Sequence, residues 1–254
     1  MRAGCLVSGV SAVAPARQPE PPILSAPRRV AVAAGIAAVV TAAAFAAVAD
    51  HGVLAHIQRL DDSWLSLMVS GRLGPVTVVA KVLNVLGLVY VTVPVRIAIA
   101  VYLAVRRQWW HLTGFAAAIV LSEIPIGPLK AAYDRARPPG SLVATTGASF
   151  PSGHAVAASV TALAAVIALV PPGRRRIWWG LAATSFALAM ALSRAYLGAH
   201  WLSDALAGLL LGTTCALLAA SAADLAQRGR RRSRPPEAAC PRERRGPLGS
   251  VDRP

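Results

Sequence analysis

Six stretches of this sequence are apolar for long enough to enter a lipid bilayer, and they constrain the fold more than any other feature. Val30–Ala49 is twenty residues without a charge, enough to cross ~30 Å of hydrocarbon as a helix. Leu86–Val105, Leu112–Leu129, Ala155–Val170, Ile177–Leu192 and Leu202–Ala223 follow, the fourth and fifth being short and assigned partly by context. Their alanine, valine and leucine content favours helices, and the alternation over segments of about ten residues that marks a membrane barrel is missing. Charged residues make up 15% of the chain, against about 25% in a soluble domain. Mean hydropathy is +0.55. The sequence therefore predicts an all-α polytopic membrane helical bundle with about six transmembrane helices, in preference to a soluble bundle with buried helices.

The net charge of +15 would suit a nucleic-acid partner, but its placement argues against one. Arg28-Arg29 precede the first run, Arg106-Arg107 follow the second, Arg174-Arg175-Arg176 separate the fourth from the fifth, and Arg228, Arg230, Arg231 and Arg232 follow the last. With six crossings these clusters fall on alternate loops, as the positive-inside rule requires, and both termini are cytoplasmic. The clusters read as topology signals, aided by anionic lipid.

Residues 1–27 and 224–254 are rich in proline, arginine and small residues and read as disordered tails around a membrane-embedded domain at 28–223. Cys5, Cys215 and Cys240 match neither a metal spacing nor a disulfide framework. The first run reads as a retained anchor rather than a signal peptide. Asp50–Lys81 is too polar for a full span. Leu60, Trp64, Leu65, Leu67 and Met68 share one side of a helix there, which fits an amphipathic interfacial segment or a helix packed on the bundle. His51, His56 and His111 belong to no motif and read as interfacial. Arg96, inside the second run and two residues after Pro94, needs a partner, and Glu123 is a candidate. Glu123 is also seven residues before Lys130, a second possible partner.

The outer loops in this layout, 50–85, 130–154 and 193–201, should be poor in basic residues. Yet Lys130, Arg135, Arg137 and Arg194 lie there close to span ends, a placement that an anionic ligand would compensate. In "KAAYDRARP", Lys130 and Arg137 are seven residues apart, about two helical turns if the helix reached that far. Pro138 opposes helix at Arg137. Lysine supplies a point charge and arginine a fork matched to phosphate oxygens, and lipid-headgroup snorkelling would explain either residue singly. Asp134 and Arg135 read as loop-shaping residues. In "PSGH", Ser152 suits a helix N-cap, Gly153 admits an anion to the backbone, and His154 titrates near neutral pH. In "SRAYLGAHWLSD", Arg194 adds another fork. His200 and Asp204 are four apart, which on a helix gives one face. A carboxylate there would hold one imidazole nitrogen as N–H and free the other as a nucleophile. Asp204 also lies inside an apolar run, where a carboxylate needs a reason.

Read together, Lys130-x6-Arg137-Pro138, Pro151-Ser152-Gly153-His154 and Ser193-Arg194-x5-His200-x3-Asp204 resemble the three-part signature of the type-2 phosphatidic acid phosphatase family, the lipid phosphate phosphatases related to vanadium haloperoxidases. The resemblance implies a membrane phosphatase acting on a lipid phosphate. His200 would attack phosphorus and become a phosphohistidine, Asp204 would orient and activate it, and His154 would protonate the leaving oxygen and then activate water. Lys130, Arg137, Ser152, Gly153 and Arg194 would hold the phosphoryl oxygens. No cofactor or metal is implied, and the sequence offers no carboxylate cluster for one. The substrate classes it leaves open are a polyprenyl diphosphate, phosphatidic acid or phosphatidylglycerol phosphate, with a polyprenyl-linked sugar phosphate as an alternative. A non-catalytic membrane anion-binding protein is the competing class. The sequence carries no signal for oligomeric state.

Overall fold

A computed structural model describes residues 20–233. Among these residues the chain is all-α, with helices α1 (Pro27–Ala49), α2 (His51–Ser70), α3 (Gly74–Leu86), α4 (Val89–Val105), α5 (Trp109–Glu123), α6 (Ile126–Tyr133), α7 (Gly153–Leu169), α8 (Arg174–Tyr196) and α9 (Leu202–Arg232). α7 and α9 form the centre, and α8, α5 and α1 pack around them.

Small residues make that centre. A Cβ on Gly208 would sit 2.6 Å from the Ser152 carbonyl oxygen, and one on Gly212 would run into the Ser159 hydroxyl. The α7 and α9 backbones approach this closely because both positions lack a side chain, and Ala155, Ala191 and Ala205 fill the adjoining space. Large apolar side chains such as Ile36, Val39, Val78, Val101, Trp178 and Trp179 point outward. Small inside and large outside is the pattern of helices packed in lipid, where tails solvate leucine and valine as well as a protein core does.

Among the described residues three segments are long and apolar enough to cross a membrane: α1, α5 with α6, and α9. α3 and α4, bent by 55° at the Gly87-Leu88 break, make a fourth if taken as one span. The expected outer loop at 50–85 is thus largely helical. α3 carries Val76, Val79, Val82 and Val85 on exposed positions, a short apolar helix that the break separates from α4. Arg96 in α4 reaches Glu123 at 2.8 Å and the Thr161 hydroxyl at 2.8 Å, so the charge inside that run has a partner. Glu123 is therefore the partner of Arg96 and not of Lys130.

The ends of the tails differ from expectation. α9 continues through Arg232 because Asp224 is buried, accepting from the Leu24 N–H at 3.1 Å and the Arg228 Nε at 2.6 Å. Ile23 and Leu24 are buried against Ala220 and Ala223, and Glu20 accepts from the N–H groups of Trp109 and Trp110 at 3.1 Å each. Residues 20–27 and 224–232 are therefore ordered by mutual contact. The remainder of both expected tails, with Cys5 and Cys240, lies outside the described residues. His111 is buried, 3.9 Å from Glu20, and not at an exposed interface. The same end of the bundle holds Arg176, which donates to the Ile23 carbonyl, and Arg230, stacked over Trp110. From Arg230, α9 runs about 39 Å, at 1.5 Å per residue, to Asp204 at the opposite end.

Candidate active site

The first cluster is shaped by the way α6 stops. Asp134 adopts a left-handed φ of 35° and caps the helix, as a short polar side chain can. The chain leaves the helix there, so Lys130 and Arg137 do not share a helical face. They meet across the following loop instead. The Lys130 Nζ donates to the Ala148 carbonyl at 2.6 Å. Arg137 donates to the carbonyls of Ala148 (3.2 Å), Gly147 (2.8 Å), Thr146 (2.8 Å) and Ala199 (2.6 Å). Its Nη1 also lies 3.2 Å from the His200 Nε2.

His200 sits in the turn before α9, whose first residue is Leu202. The i,i+4 helical face expected for His200 and Asp204 therefore does not form. The Nδ1 lies 3.9 Å from the Asp204 carboxylate, beyond hydrogen-bond reach, and only 2.7 Å from the Ser149 carbonyl oxygen. A carbonyl can only accept, so the proton resides on Nδ1 and Nε2 keeps its lone pair. Burial, then the positive charges of Arg137, Arg194 and Lys130, hold the His200 pKa well below the ordinary imidazole value. The neutral ring is thereby favoured at physiological pH.

Asp204 is fully buried and satisfied by other partners. Its Oδ2 accepts from the Ser149 hydroxyl at 2.5 Å and the Trp201 N–H at 3.1 Å. The second contact is half of a capping box at the start of α9. Its Oδ1 accepts from Arg135 at 2.6 Å. Arg135 does more than shape its loop. It also donates to Ser203 at 2.7 Å, Asp61 at 2.8 Å and Gln58 at 2.7 Å, and it lies over the Trp201 ring. Asp61, the one buried residue of α2, accepts in turn from the Ser203 N–H and hydroxyl at 2.9 and 2.6 Å. α2 therefore packs on the bundle through a carboxylate while Leu60 and Leu67 face outward. Sequence reasoning left Ser149 and Asp61 without a role. The available signal was a pair of carboxylates, Asp61-Asp62, on an otherwise amphipathic helix.

Ser152 occupies the N-cap position of α7, but its hydroxyl makes no capping bond. It is buried without a partner, as are the His154 Nε2 and the Arg194 Nε. The Ser152 N–H donates to the Asp204 carbonyl at 3.1 Å, which ties the α7 start to the α9 start. A Cβ on Gly153 would meet nothing within 4 Å, so the helix start opens on free space. Arg194 is held by the Asn84 side-chain carbonyl. A Cβ on Gly87 would collide with the His154 ring. The α3–α4 break thus admits His154, and the last turn of α3 supplies Asn84, two contributions invisible in the sequence. All eight expected site residues occur at this one end of the bundle. Among the described residues no group of three or more His, Cys, Asp or Glu side chains comes together as a metal site.

No curated protein sequence matches the chain. Among solved structures, the first transmembrane PAP2 type phosphatidylglycerolphosphate phosphatase from Bacillus subtilis is 24% identical with a TM-score of 0.62, over 73% of this chain and 93% of that one. Aquifex aeolicus LpxE is 22% identical with a TM-score of 0.53, over 63% of this chain and 94% of that one. At these identities the likeness is one of fold. The sequence of residues 109–228, which carries every signature position, matches the model of the PAP2 superfamily.

Proposed function

We infer that the protein is an integral membrane phosphatase that hydrolyses a lipid phosphate or diphosphate through a phosphohistidine on His200. One observation carries the reading. The Ser152 Oγ, the His154 Nε2 and the Arg194 Nε are buried without partners, at the same end as a neutral imidazole whose Nε2 carries its lone pair 3.2 Å from the Arg137 guanidinium. A buried polar atom without a partner costs about 1–3 kcal/mol, and a phosphoryl group would satisfy all three. Lys130, Arg137 and Arg194 supply positive charge for the equatorial oxygens, the interaction on which phosphoryl transfer chiefly depends.

In the first half-reaction the Nε2 lone pair of His200 forms a bond to phosphorus. The bond from phosphorus to the lipid oxygen breaks, and that oxygen takes a proton from His154. In the second, His154 takes a proton from water, the hydroxide oxygen bonds to phosphorus, and the P–N bond breaks to restore Nε2 and release phosphate. Ser149 holds the Nδ1 proton throughout. Asp204 acts on His200 through Ser149 and through its own charge, which offsets the imidazolium formed on phosphorylation.

The topology supported best has six crossings, counting α3 with α4 and α5 with α6, and adding α7 and α8. The arginine clusters at the α9 C-terminal end would then be cytoplasmic, and the site extracytoplasmic where a lipid headgroup lies. The membrane-embedded domain would end with α9. Phosphate release from a C55 polyprenyl diphosphate, phosphatidic acid and phosphatidylglycerol phosphate, with EDTA present, tests the chemistry. Release that persists in EDTA and vanishes in His200→Ala is expected. Unchanged release in that variant sinks the mechanism, and no release from any lipid favours a polyprenyl-linked sugar phosphate or a non-catalytic anion-binding protein.

A further inference from the structure

We propose that Arg72, in the turn between α2 and α3, forms an outer anion subsite for the second phosphate of a diphosphate ester. The proposal rests on the reading of His200 as the nucleophile and extends it to substrate class.

Arg72 is held at the site but makes no bond there. Its Nε and Nη2 are buried and lack hydrogen-bond partners among the described residues. Its Nη2 lies 3.7 Å from the point a Cβ on Gly198 would occupy. Gly198 has a left-handed φ of 66° and precedes His200 by two residues, so their Cα atoms are no more than about 7 Å apart. The Gly140 carbonyl is at the same 3.7 Å from that point, and the Leu142 N–H donates to the Leu197 carbonyl at 2.9 Å. Arg72 therefore stands where the loop after α6 meets the turn that carries the nucleophile.

A structural guanidinium would staple these loops with its own donors. Here Tyr196 does that work: its hydroxyl lies 2.8 Å from the Thr77 hydroxyl and accepts from the Leu73 N–H at 3.2 Å. The α2–α3 turn is thus fixed without Arg72, and a planar fork with free donors is left beside the site. Near the reacting phosphorus, Lys130, Arg137 and Arg194 already provide three cations. A monoester needs no fourth. A diphosphate carries additional negative charge on a second phosphorus, displaced from the first by one bridging oxygen, and Arg72 supplies a cation displaced from the first three.

The test compares binding of inorganic pyrophosphate and orthophosphate to the detergent-purified full chain, by calorimetry, for wild type, Arg72→Gln, Arg72→Lys and His200→Ala. Wild type should prefer pyrophosphate. Arg72→Gln should weaken pyrophosphate about tenfold while orthophosphate stays within about twofold, and Arg72→Lys should recover part of the loss. His200→Ala should keep the preference. A wild type without preference, or an Arg72→Gln that weakens both ions alike or neither, overturns the subsite. Hydrolysis of farnesyl diphosphate by wild type and His200→Ala is measured in parallel. Intact pyrophosphate preference without turnover would sink the phosphatase reading and leave the subsite standing.

Discussion

Arg135 bridges two buried carboxylates, donating to Asp204 at 2.6 Å and to Asp61 at 2.8 Å. Through Asp204 it fixes Ser149 and hence the ring of His200, and through Asp61 it fixes α2. A helix at the outer edge of the bundle is thereby coupled to the candidate nucleophile by two ion pairs, Asp61–Arg135–Asp204, continued by hydrogen bonds through Ser149.

Removing the cation from that run strands two carboxylates away from water. Arg135→Ala should cost about 3–5 kcal/mol of stability, the usual penalty for breaking a buried pair. Asp61→Asn, which keeps one acceptor oxygen and leaves the Arg135 bond to Asp204 intact, should cost less. Thermal unfolding in detergent measures both. Equal and small losses would show that the network is solvated.

Ser149 offers a finer cut, since its backbone carbonyl and its hydroxyl do different things. Ser149→Ala keeps the carbonyl that holds the Nδ1 proton and deletes the 2.5 Å bond to Asp204 together with the longer 3.4 Å contact of the hydroxyl with His200 Nδ1. The expected effect is a fall in kcat of about 10–100-fold, as for other supporting contacts around a reactive histidine, with KM little changed. A KM effect alone would assign Ser149 to substrate binding.

The charge around His200 predicts a pH effect with a definite sign. Burial, followed by Arg137, Arg194 and Lys130, depresses its pKa, so acylation of His200 by diethyl pyrocarbonate should stay fast below pH ~6.5, where a free imidazole is protonated. Arg137→Gln removes one of the opposing charges and should move the reactivity midpoint upward. The same shift bears on stability. A folded-state pKa below the unfolded value means that the unfolded chain binds more protons below about pH 6.5, so this histidine's contribution is full above that value and is lost as pH falls through the folded pKa. A midpoint unchanged in Arg137→Gln would show that the Arg137 charge does not contribute to the depression.

Gly208 tests the seam that joins the second and third clusters. Its absent Cβ leaves room for the Ser152 carbonyl, and Gly208→Leu must push α7 from α9. The cost expected for such overpacking is about 1–3 kcal/mol. Because Ser152 and Gly153 move with α7, activity should fall further than stability. Gly35, where a Cβ meets nothing within 4 Å, serves as the control, and a matching loss in Gly35→Leu would mean that only the lipid-facing surface matters.

Local composition and spacing were enough to mark the membrane class and the polar clusters. Apolar runs of bilayer length announced an all-α membrane protein, since a run of twenty uncharged residues has few other homes. The three polar clusters pointed to a candidate anion site because each set a cation or a titratable group beside an apolar segment, where it carries a cost without a ligand. Only the tertiary structure decided which of these groups touch. His200 and Asp204 are four apart in sequence yet not hydrogen-bonded, because the helix begins between them. Asp61 reaches Arg135 across 74 positions, and Asn84 reaches Arg194 across 110. Pairings at such separations leave no periodicity in the chain, because they are selected by how helices pack. The glycines and alanines of α7 and α9 set that packing, and in it the Ser149 carbonyl, rather than Asp204, accepts the hydrogen bond of the His200 Nδ1–H.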